Sequence, residues 1–564
     1  MKTGMLCGLL CLSAGVLLPL GASAQVPEGP SEGVELVVDF NDGTSAREAL
    51  AAGADEGLQL RPNSHLADDD GIYTVTVPRE RAGAVLGRLR ALGAVEAAEE
   101  NVEMRALFTP NDPLLERQWG LARLGSPRAW DAACGHGVTV AVVDTGVACE
   151  NHGEFTRIPD LAGTHCLEGW NFVNNTPHAN DDQGHGTHVA GTIAQTTHNA
   201  LGTAGVAYCA SILPVKVLDR SGRGTLADVA EGIRWSADHG AQVINLSLGG
   251  GGRSRVLEQA VAYARAKGSV VVCAAGNNGR TVESPANSPG AVAVSAIDSG
   301  DQIAFFSSRG PELAVAAPGV NILQQTICDH GRNRCEQFAA WSGTSMAAPH
   351  VAGVAALVFS LGVTDPSAVE AILRRSASPP AHGGQNPELY GAGIVSAEGA
   401  TREALGSHGR GRGLTLLALT ALVLWLIKRR NGEVSWAFLP TALLTGVGAF
   451  FLPWVVSRTV PGVDLAMRPL AEWDLYFLGV PWHRWMLFAN GFTVLALVGL
   501  GFGRPWARAP IGGVALGVSA YLLASLWQGD AFRPLGTALF GGWVLLNLVL
   551  CLWVAAIGID RKAR

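Results

Sequence analysis

Three short stretches carry an acid, a base and a nucleophile, each beside an apolar run. Asp144 ends the run 138–143, His185 opens a second apolar segment, and Ser345 precedes Met346–Val358. A serine hydroxyl is a weak nucleophile at its free pKa, so it needs a histidine to take its proton. That histidine in turn needs a buried carboxylate to hold its tautomer. The three stretches together predict nucleophilic catalysis by Ser345, with His185 as the base and Asp144 as its orienting acid.

Each of these residues has a plainer interpretation when it is taken alone. Asp144 and Ser345 are typical helix N-cap residues. His185 could be a loop histidine, or it could form a metal pair with His188, although the sequence offers no obvious third ligand. The occurrence of all three stretches in one order favours catalysis over these alternatives.

The order of the three residues, and the residues around them, resemble the subtilisin-like serine peptidases (subtilases). The resemblance covers roughly residues 109–400 and implies an α/β fold, a parallel sheet covered by helices on both faces. The stretches that carry it are Val-Ala-Val-Val-Asp144-Thr-Gly, Gly184-His185-Gly-Thr-His188-Val-Ala-Gly and Gly343-Thr-Ser345-Met-Ala-Ala-Pro-His.

A fourth stretch, Ala274-Ala275-Gly276-Asn277, follows the apolar strand predicted at Val270–Cys273. In the family the asparagine of this pattern donates to the oxyanion, so the resemblance assigns that role to Asn277. The plainer interpretation is an Asx turn.

Two further segments resemble the extended backbone segments of subtilases with which a substrate peptide pairs as an additional β-strand. One contains Ser247, Leu248 and Gly249, and the other contains Gly224. Both place glycines where a substrate chain could approach closely.

The resemblance also bears on specificity. Ser284-Pro285-Ala286 matches a family turn that places Glu283 on the floor of the S1 pocket. A partly desolvated carboxylate there would favour Arg or Lys at P1 and repel an acidic P1 residue. The alternative is that Glu283 points into solvent.

The stretch 109–120 resembles the mature N-terminus of thermitase-like subtilases, which implies structural calcium. The matching ligands are Asp112, Asp160 and Asn199, with Glu154 as an alternative to Asp160. Oxygen ligands from three separate segments would tie the N-terminus to the core. His198 departs from the usual asparagine. No cofactor is expected for the chemistry itself.

The 564-residue chain is too long for one domain and its composition changes along its length. Residues 1–24 are typical of a signal peptide ending in Ala22-Ser-Ala24. Residues 25–107 are acidic, and their alternating strands and helices predict a small α+β domain. This segment resembles the inhibitory subtilase propeptide, which predicts self-cleavage between Arg105 and Thr109. An unrelated β–α adaptor is the alternative.

Seven of the cysteines lie in the peptidase-like region 108–400, and a secreted protein can form disulfides. Cys273 lies in an apolar strand and is expected to be a free thiol. The short loop between Cys328 and Cys335 favours a disulfide there. Cys149–Cys166 and, as the remaining pairing, Cys134–Cys209 complete the expected set.

A glycine-rich linker is expected at 401–413, and residues 414–564 are expected to be an all-α membrane domain of about five spans. Basic residues cluster at 428–430, 504–508 and 561–564, which places these ends in the cytoplasm and the peptidase outside. The apolar runs are Leu414–Ile427, Trp436–Val456, Trp485–Gly503, Ile511–Trp527 and Leu535–Ile559.

These patterns predict a multi-pass serine endopeptidase of the cell (inner or plasma) membrane, made as a self-processed zymogen that cleaves exported or surface proteins. Its expected partners are a polypeptide substrate, the lipid bilayer and its own propeptide. No nucleic-acid partner is expected for a chain of net charge −7. One alternative is a membrane signalling or binding protein with a degenerate protease domain. Another is a regulated transporter, which the charge-free spans disfavour.

Overall fold

The computed structural model describes residues 33–101, 109–381, 384, 386–429, 435–448, 465–466, 468–483, 490–529 and 536–557. The segment expected to be a signal peptide lies outside these residues, as do positions 102–108, where most of the expected cleavage window falls. The chain divides into two compact units, Met1–Ala106 and Leu107–Arg564, which are described separately.

The first unit is a four-stranded antiparallel sheet in the order β2-β3-β1-β4. Alternate residues of β1 are buried against two longer helices, as a half-buried strand requires. Ser45 caps the first helix in a capping box with Glu48. The strands are β1 (Gly33–Phe40), β2 (Arg61–Pro62), β3 (Ile72–Pro78) and β4 (Val95–Glu100), and the helices are α1 (Ala46–Asp55), α2 (Ala67–Asp70) and α3 (Arg79–Leu89).

The second unit contains a seven-stranded sheet in the order β11-β10-β9-β8-β5-β7-β6, with every neighbouring pair parallel. This is the parallel α/β fold expected from the sequence. The strands are β5 (Thr139–Asp144), β6 (Trp170–Asn171), β7 (Ser211–Lys216), β8 (Val243–Leu246), β9 (Val270–Ala274), β10 (Ala291–Ile297) and β11 (Leu313–Pro318).

Helices cover both faces of this sheet, so its strands are apolar on both sides. Val140 and Val142 pack into one core with α6 and α9, whereas Ala141 and Val143 pack into a second core with α7 and α8. The helices are α4 (Trp119–Leu124), α5 (Ser126–Ala129), α6 (His185–Ala194), α7 (Leu226–Asp238), α8 (Arg255–Ala266), α9 (Thr344–Ser360), α10 (Pro366–Arg375) and α11 (Pro387–Tyr390).

A hairpin of β12 (Ile322–Cys328) and β13 (Asn333–Trp341) lies outside the main sheet. The disulfide Cys328–Cys335 closes it, and Cys149–Cys166 and Cys134–Cys209 are also formed. The expected disulfide pairings are therefore confirmed. Cys273 is a free thiol in β9, and its complete burial raises its pKa.

The segment 401–413 is not a flexible linker, and that expectation is wrong. It lies inside the 33-residue helix α12 (Ala397–Arg429). Ala397, Ala400 and Ala404 recur at helical spacing and are fully buried in the peptidase core. This packing anchors the N-terminal part of the helix, which composition alone does not reveal.

Six more helices follow: α13 (Phe438–Gly446), α14 (Trp473–Leu478), α15 (Val480–His483), α16 (Gly491–Gly501), α17 (Pro505–Gln528) and α18 (Gly536–Ile557). Among the described residues, three helices are long and apolar enough to cross a membrane: Ala397–Arg429, Pro505–Gln528 and Ala538–Ile557. The other two expected spans, Trp436–Val456 and Trp485–Gly503, fall partly outside the described residues, and their described parts form α13 and α16.

Candidate active site

The end of β5 meets the beginning of α6 at the predicted acid and base. Asp144 is fully buried, and its Oδ1 accepts from the Thr145 backbone N–H at 2.7 Å and lies 2.8 Å from His185 Nδ1. The close approach requires glycine at position 186, since a Cβ there would lie 2.1 Å from the Gly146 carbonyl oxygen. The structure thus brings Asp144 and His185 into direct contact.

This contact decides the direction in which the pKa of His185 is shifted. Burial opposes protonation of His185, but the charge of Asp144 and its hydrogen bond outweigh burial. The pKa of His185 is therefore raised above its usual value, with a smaller contribution from Asp181. Such an imidazole accepts a proton readily, as a general base must.

Asp181 is a buried carboxylate that the sequence reasoning missed. It anchors the start of α6, and burial raises its pKa against the hydrogen bonds that it accepts. Its position four residues before His185 was the available signal. Its oxygens accept from Thr145 Oγ1, Gln183 N, Gly184 N, Thr187 N and Thr187 Oγ1 at 2.6–2.9 Å.

Ser345 lies in the first turn of α9. Its hydroxyl donates to the Ser247 carbonyl oxygen at 2.9 Å, and the Ser247 hydroxyl donates to the Ser345 carbonyl oxygen at 2.7 Å. The Ser345 hydroxyl is thus held on the backbone after β8. Catalytic hydrogen bonds often form only when substrate is bound.

Asn277 is exposed beside the same helix start. Its Oδ1 accepts from the backbone N–H and from the hydroxyl of Thr344, both at 2.9 Å. The amide nitrogen is thereby turned toward position 343, where a Cβ on Gly343 would lie 3.4 Å from it. The side chain thus presents an N–H donor next to the backbone of Ser345.

The predicted specificity residue Glu283 lies close to the backbone that follows β8 and β9. Glu283 is half-buried, and its carboxylate lies close to two glycines. A Cβ on Gly276 would be 2.8 Å from Glu283 Oε2, and a Cβ on Gly249 would be 3.5 Å from it. Asn278 donates to Glu283 Oε1 at 2.7 Å. Glu283 thus faces the glycine backbone, while Leu248 is partly buried beside it.

Gly224 lies apart from these residues, in the exposed turn that leads into α7. A Cβ there would lie 2.1 Å from the Val217 carbonyl oxygen. The absence of a side chain lets this turn pack directly on the backbone that follows β7.

Trp341 is a second residue that the sequence reasoning missed. Its ring stacks on His188 with the ring centroids 4.6 Å apart, and it lies nearly parallel to His185 at 6.3 Å. His188 is buried, and burial lowers its pKa to about 4. His188 is therefore a neutral packing residue whose Nε2 lies 3.0 Å from the Ala339 carbonyl oxygen.

The three predicted calcium ligands lie together. Asp112 accepts from the His198 backbone N–H at 2.8 Å, and Asn199 Nδ2 donates to Asp160 Oδ1 at 2.9 Å. Burial raises the pKa of Asp160 to about 6. The alternative ligand Glu154 instead pairs with Arg332 at the surface. Within the described part of the chain, no three His, Cys, Asp or Glu side chains form a metal-binding group, and this set contains only two carboxylates.

The parallel α/β sheet has a buried carboxylate at one strand end and an imidazole in contact with it at a helix start. Together with a serine hydroxyl at a second helix start, held on the backbone after the neighbouring strand, this arrangement is typical of a class of serine hydrolases. The model of the subtilase family (Peptidase_S8) matches residues 135–393. Thermitase of Thermoactinomyces vulgaris is 49% identical over 257 residues, which cover 45% of this chain and 87% of thermitase. The chain belongs to the subtilase family and is a serine peptidase.

Two further comparisons cover similar parts of the chain. The thermophilic serine proteinase of Bacillus sp. (strain AK1) is 42% identical over 332 residues, 58% of this chain and 78% of that protein. A solved protease structure from Pseudoalteromonas arctica is 35% identical. It covers 53% of this chain and 100% of its own, with a TM-score of 0.48.

Proposed function

We propose that this chain is a membrane-anchored endopeptidase in which Ser345, His185, Asp144 and Asn277 carry out the reaction. The observation that carries the proposal is the 2.8 Å contact between His185 Nδ1 and the buried Asp144 carboxylate, beside the helix start that presents Ser345. Subtilase membership supports the reaction type.

The reaction would proceed in two halves. His185 Nε2 takes the proton of Ser345 Oγ as that oxygen bonds to the peptide carbonyl carbon. The Asn277 side-chain amide and the Ser345 N–H then stabilise the oxyanion. His185 returns the proton to the leaving amine, and water repeats the sequence to release the carboxylate product. Asp144 keeps Nδ1 protonated and stabilises the imidazolium throughout.

An activity-based probe separates this proposal from a degenerate protease domain. The full chain in detergent should react with a fluorophosphonate and cleave a peptide library. Ser345→Ala should lose both activities, whereas Ser342→Ala should keep them, because Ser342 is exposed and its hydroxyl accepts only from the nearby Asn321 N–H. An unlabelled wild type, or equal labelling of Ser345→Ala, would contradict the proposal.

The substrate is a polypeptide bound in extended form along the backbone of Ser247–Gly249 and the turn at Gly224. Glu283 supports a preference for Arg or Lys at P1, since its carboxylate faces Gly249 and Gly276. Exported or surface proteins are the proposed substrate class. A comparison of protein N-termini between wild-type cells and Ser345→Ala cells would identify them.

The proposal also assigns a role to each of the segments outside the peptidase domain. Residues 1–24 direct export, residues 25–107 act as an inhibitory propeptide, and residues 414–564 anchor the peptidase in the cell membrane. The four-stranded α+β unit supports the second assignment, and three long apolar helices support the third. Basic residues flanking the spans favour an extracytoplasmic peptidase.

Structural calcium is proposed at Asp112, Asp160 and Asn199. Two buried carboxylates from separate segments supply the hard oxygen ligands that calcium prefers. The Asn199 amide now donates its Nδ2 to Asp160 and accepts from the Leu201 N–H through its oxygen, so it would have to turn over to become a ligand. Bound calcium would offset the repulsion between the two carboxylates and join residues 109–120 to the core.

A further inference from the structure

Residues 468–483, here called the docking segment, lie far along the chain from the peptidase but pack against it. Leu475 and Val480 are fully buried, and both belong to the apolar core that contains β5, α6 and α9. The docking segment therefore completes the core of the peptidase, although it comes from the C-terminal third.

Polar contacts fix the same interface. His136 Nε2 lies 2.9 Å from the Tyr476 carbonyl oxygen, and the two rings are 4.7 Å apart. The Val480 N–H donates to the Gly137 carbonyl oxygen at 3.0 Å. A Cβ on Gly137 would lie 2.6 Å from the Leu475 carbonyl oxygen, so the backbones approach as closely as glycine allows.

The other side of the docking segment is held by helices that are long enough to cross a membrane. His483 Nδ1 lies 2.7 Å from Asp474 Oδ1, and His483 Nε2 lies 3.1 Å from the Tyr521 hydroxyl of α17. Glu472 forms an ion pair with Arg412 of α12. All five side chains are buried, and breaking such a pair by removing one partner is costly.

The docked surface is at the end of the peptidase opposite to its catalytic residues. Gly137 precedes β5, whereas Asp144 ends it. Arg468 donates to the carbonyl oxygen of Ser360, the last residue of α9, whereas Ser345 begins that helix. Fifteen residues at ~1.5 Å each separate Ser345 from Ser360, or about 22 Å.

We propose that the docking segment holds the peptidase rigidly on the membrane helices with its cleft turned away from them. The substrate is then a polypeptide segment that extends at least ~22 Å from the bilayer on the peptidase side, or about seven residues at ~3.3 Å per residue. Peptide bonds closer to the bilayer are out of reach. This inference rests on the proposed membrane-anchored endopeptidase.

The test uses the full chain in lipid vesicles. The substrates are single-span polypeptides in which a spacer of 2, 7, 15 or 30 residues separates the membrane span from one cleavable sequence (design values of about 7–100 Å when extended). A soluble peptide of the same sequence measures the proposed function alone. Wild type should cleave the long-spacer substrates and the soluble peptide, and cut the shortest-spacer substrate at least about tenfold more slowly. Leu475→Ser should loosen the docked interface and weaken this dependence on spacer length, although α12 still joins the peptidase to the membrane helices.

Phe477→Ser is the matched control, because Phe477 lies in the same helix but is 59% exposed. His136→Ala provides a milder change at an exposed position should Leu475→Ser fail to fold. Equal cleavage of all spacers by wild type would overturn the docking proposal, as would an unchanged spacer dependence in whichever of the two docking variants folds. Loss of cleavage of the soluble peptide by wild type would instead contradict the proposed function.

Discussion

At the scale of single residues, the charge of a side chain in this site depends on its neighbours. His185 faces a buried carboxylate, which raises its pKa. His350, also buried, has its pKa lowered to about 4 by burial. The pKa values of two histidines on neighbouring helices are therefore shifted in opposite directions, by a facing carboxylate in one case and by burial in the other.

The buried histidine predicts a loss of stability in acid. Between pH 6.5 and about 4, the unfolded chain binds a proton at His350 and the folded chain does not. The free energy of unfolding should therefore fall by up to ~1.4 kcal/mol per pH unit for this residue as the pH decreases through that window. We expect His350→Gln, in a Ser345→Ala background that prevents self-digestion, to show a smaller fall of Tm between pH 6.5 and 4.5. A parallel fall in both proteins would show that His350 does not titrate in this way.

Glu283 predicts the P1 preference. Its carboxylate faces Gly249 and Gly276, so Arg or Lys at P1 should gain a charge-assisted contact. Profiling a P1 library should show at least about a tenfold preference for basic over neutral residues, converted from ~1.4 kcal/mol. Glu283→Gly and the isosteric Glu283→Gln should both lose this preference. Its persistence in both variants would mean that another residue selects the P1 side chain.

Short motifs make single residues the most predictable part of this chain. The motifs and the family resemblance they carry placed Asp144 beside His185. The disulfides were anticipated from one short loop and, for Cys134–Cys209, from the cysteines that remained. Asp181 and Trp341 were missed, since their roles depend on contacts between segments distant in the chain. An acid near a histidine, or a tryptophan after a strand, is too common a pattern to indicate such contacts.

At the scale of elements, hydrogen bonds of Asp112, Asp160 and Asn199 join three segments that are distant in the chain. If calcium joins them, ethylenediaminetetraacetate should lower the Tm of the full chain. Calcium at 100 times its Kd contributes about 2.7 kcal/mol to folding. Asp112→Asn should abolish the response, whereas Asp219→Asn should keep it, because Asp219 accepts only within its own exposed turn. If the chelator left the Tm unchanged, the proposed calcium site would be contradicted.

Element boundaries could be predicted where the apolar periodicity was strong. The predictions failed where tertiary packing decided the secondary structure. The sheet strands and the small α+β unit follow from their apolar patterns. The glycine-rich segment 401–413 is helical instead, with Ala404 buried against the peptidase at its start and Arg412 buried and paired with Glu472 at its end. The docking segment was not predicted either, since nothing local in it specifies contact with residues 136–137.

At the scale of the whole molecule, maturation is predicted to be self-catalysed. The full-length Ser345→Ala protein, expressed in a host that lacks related proteases, should accumulate as a species retaining residues 25–107. The wild type should lose that segment by a cut between Arg105 and Thr109. N-terminal sequencing and mass spectrometry distinguish the two forms. Normal trimming of Ser345→Ala would assign this step to a different protease.

The unbroken helix α12 gives the chain a mechanical property that a loop would lack. Each residue turns an α-helix by ~100° and advances it by ~1.5 Å. The number of residues between Ala404 and Arg412 therefore sets the rotation of the peptidase about the axis of α12, relative to the membrane helices. A loop absorbs an added residue at little cost. Here a single insertion would swing the peptidase by more than a quarter turn and misalign Gly137 with Val480. The contact between Gly137 and Val480 therefore depends on the number of residues in this stretch.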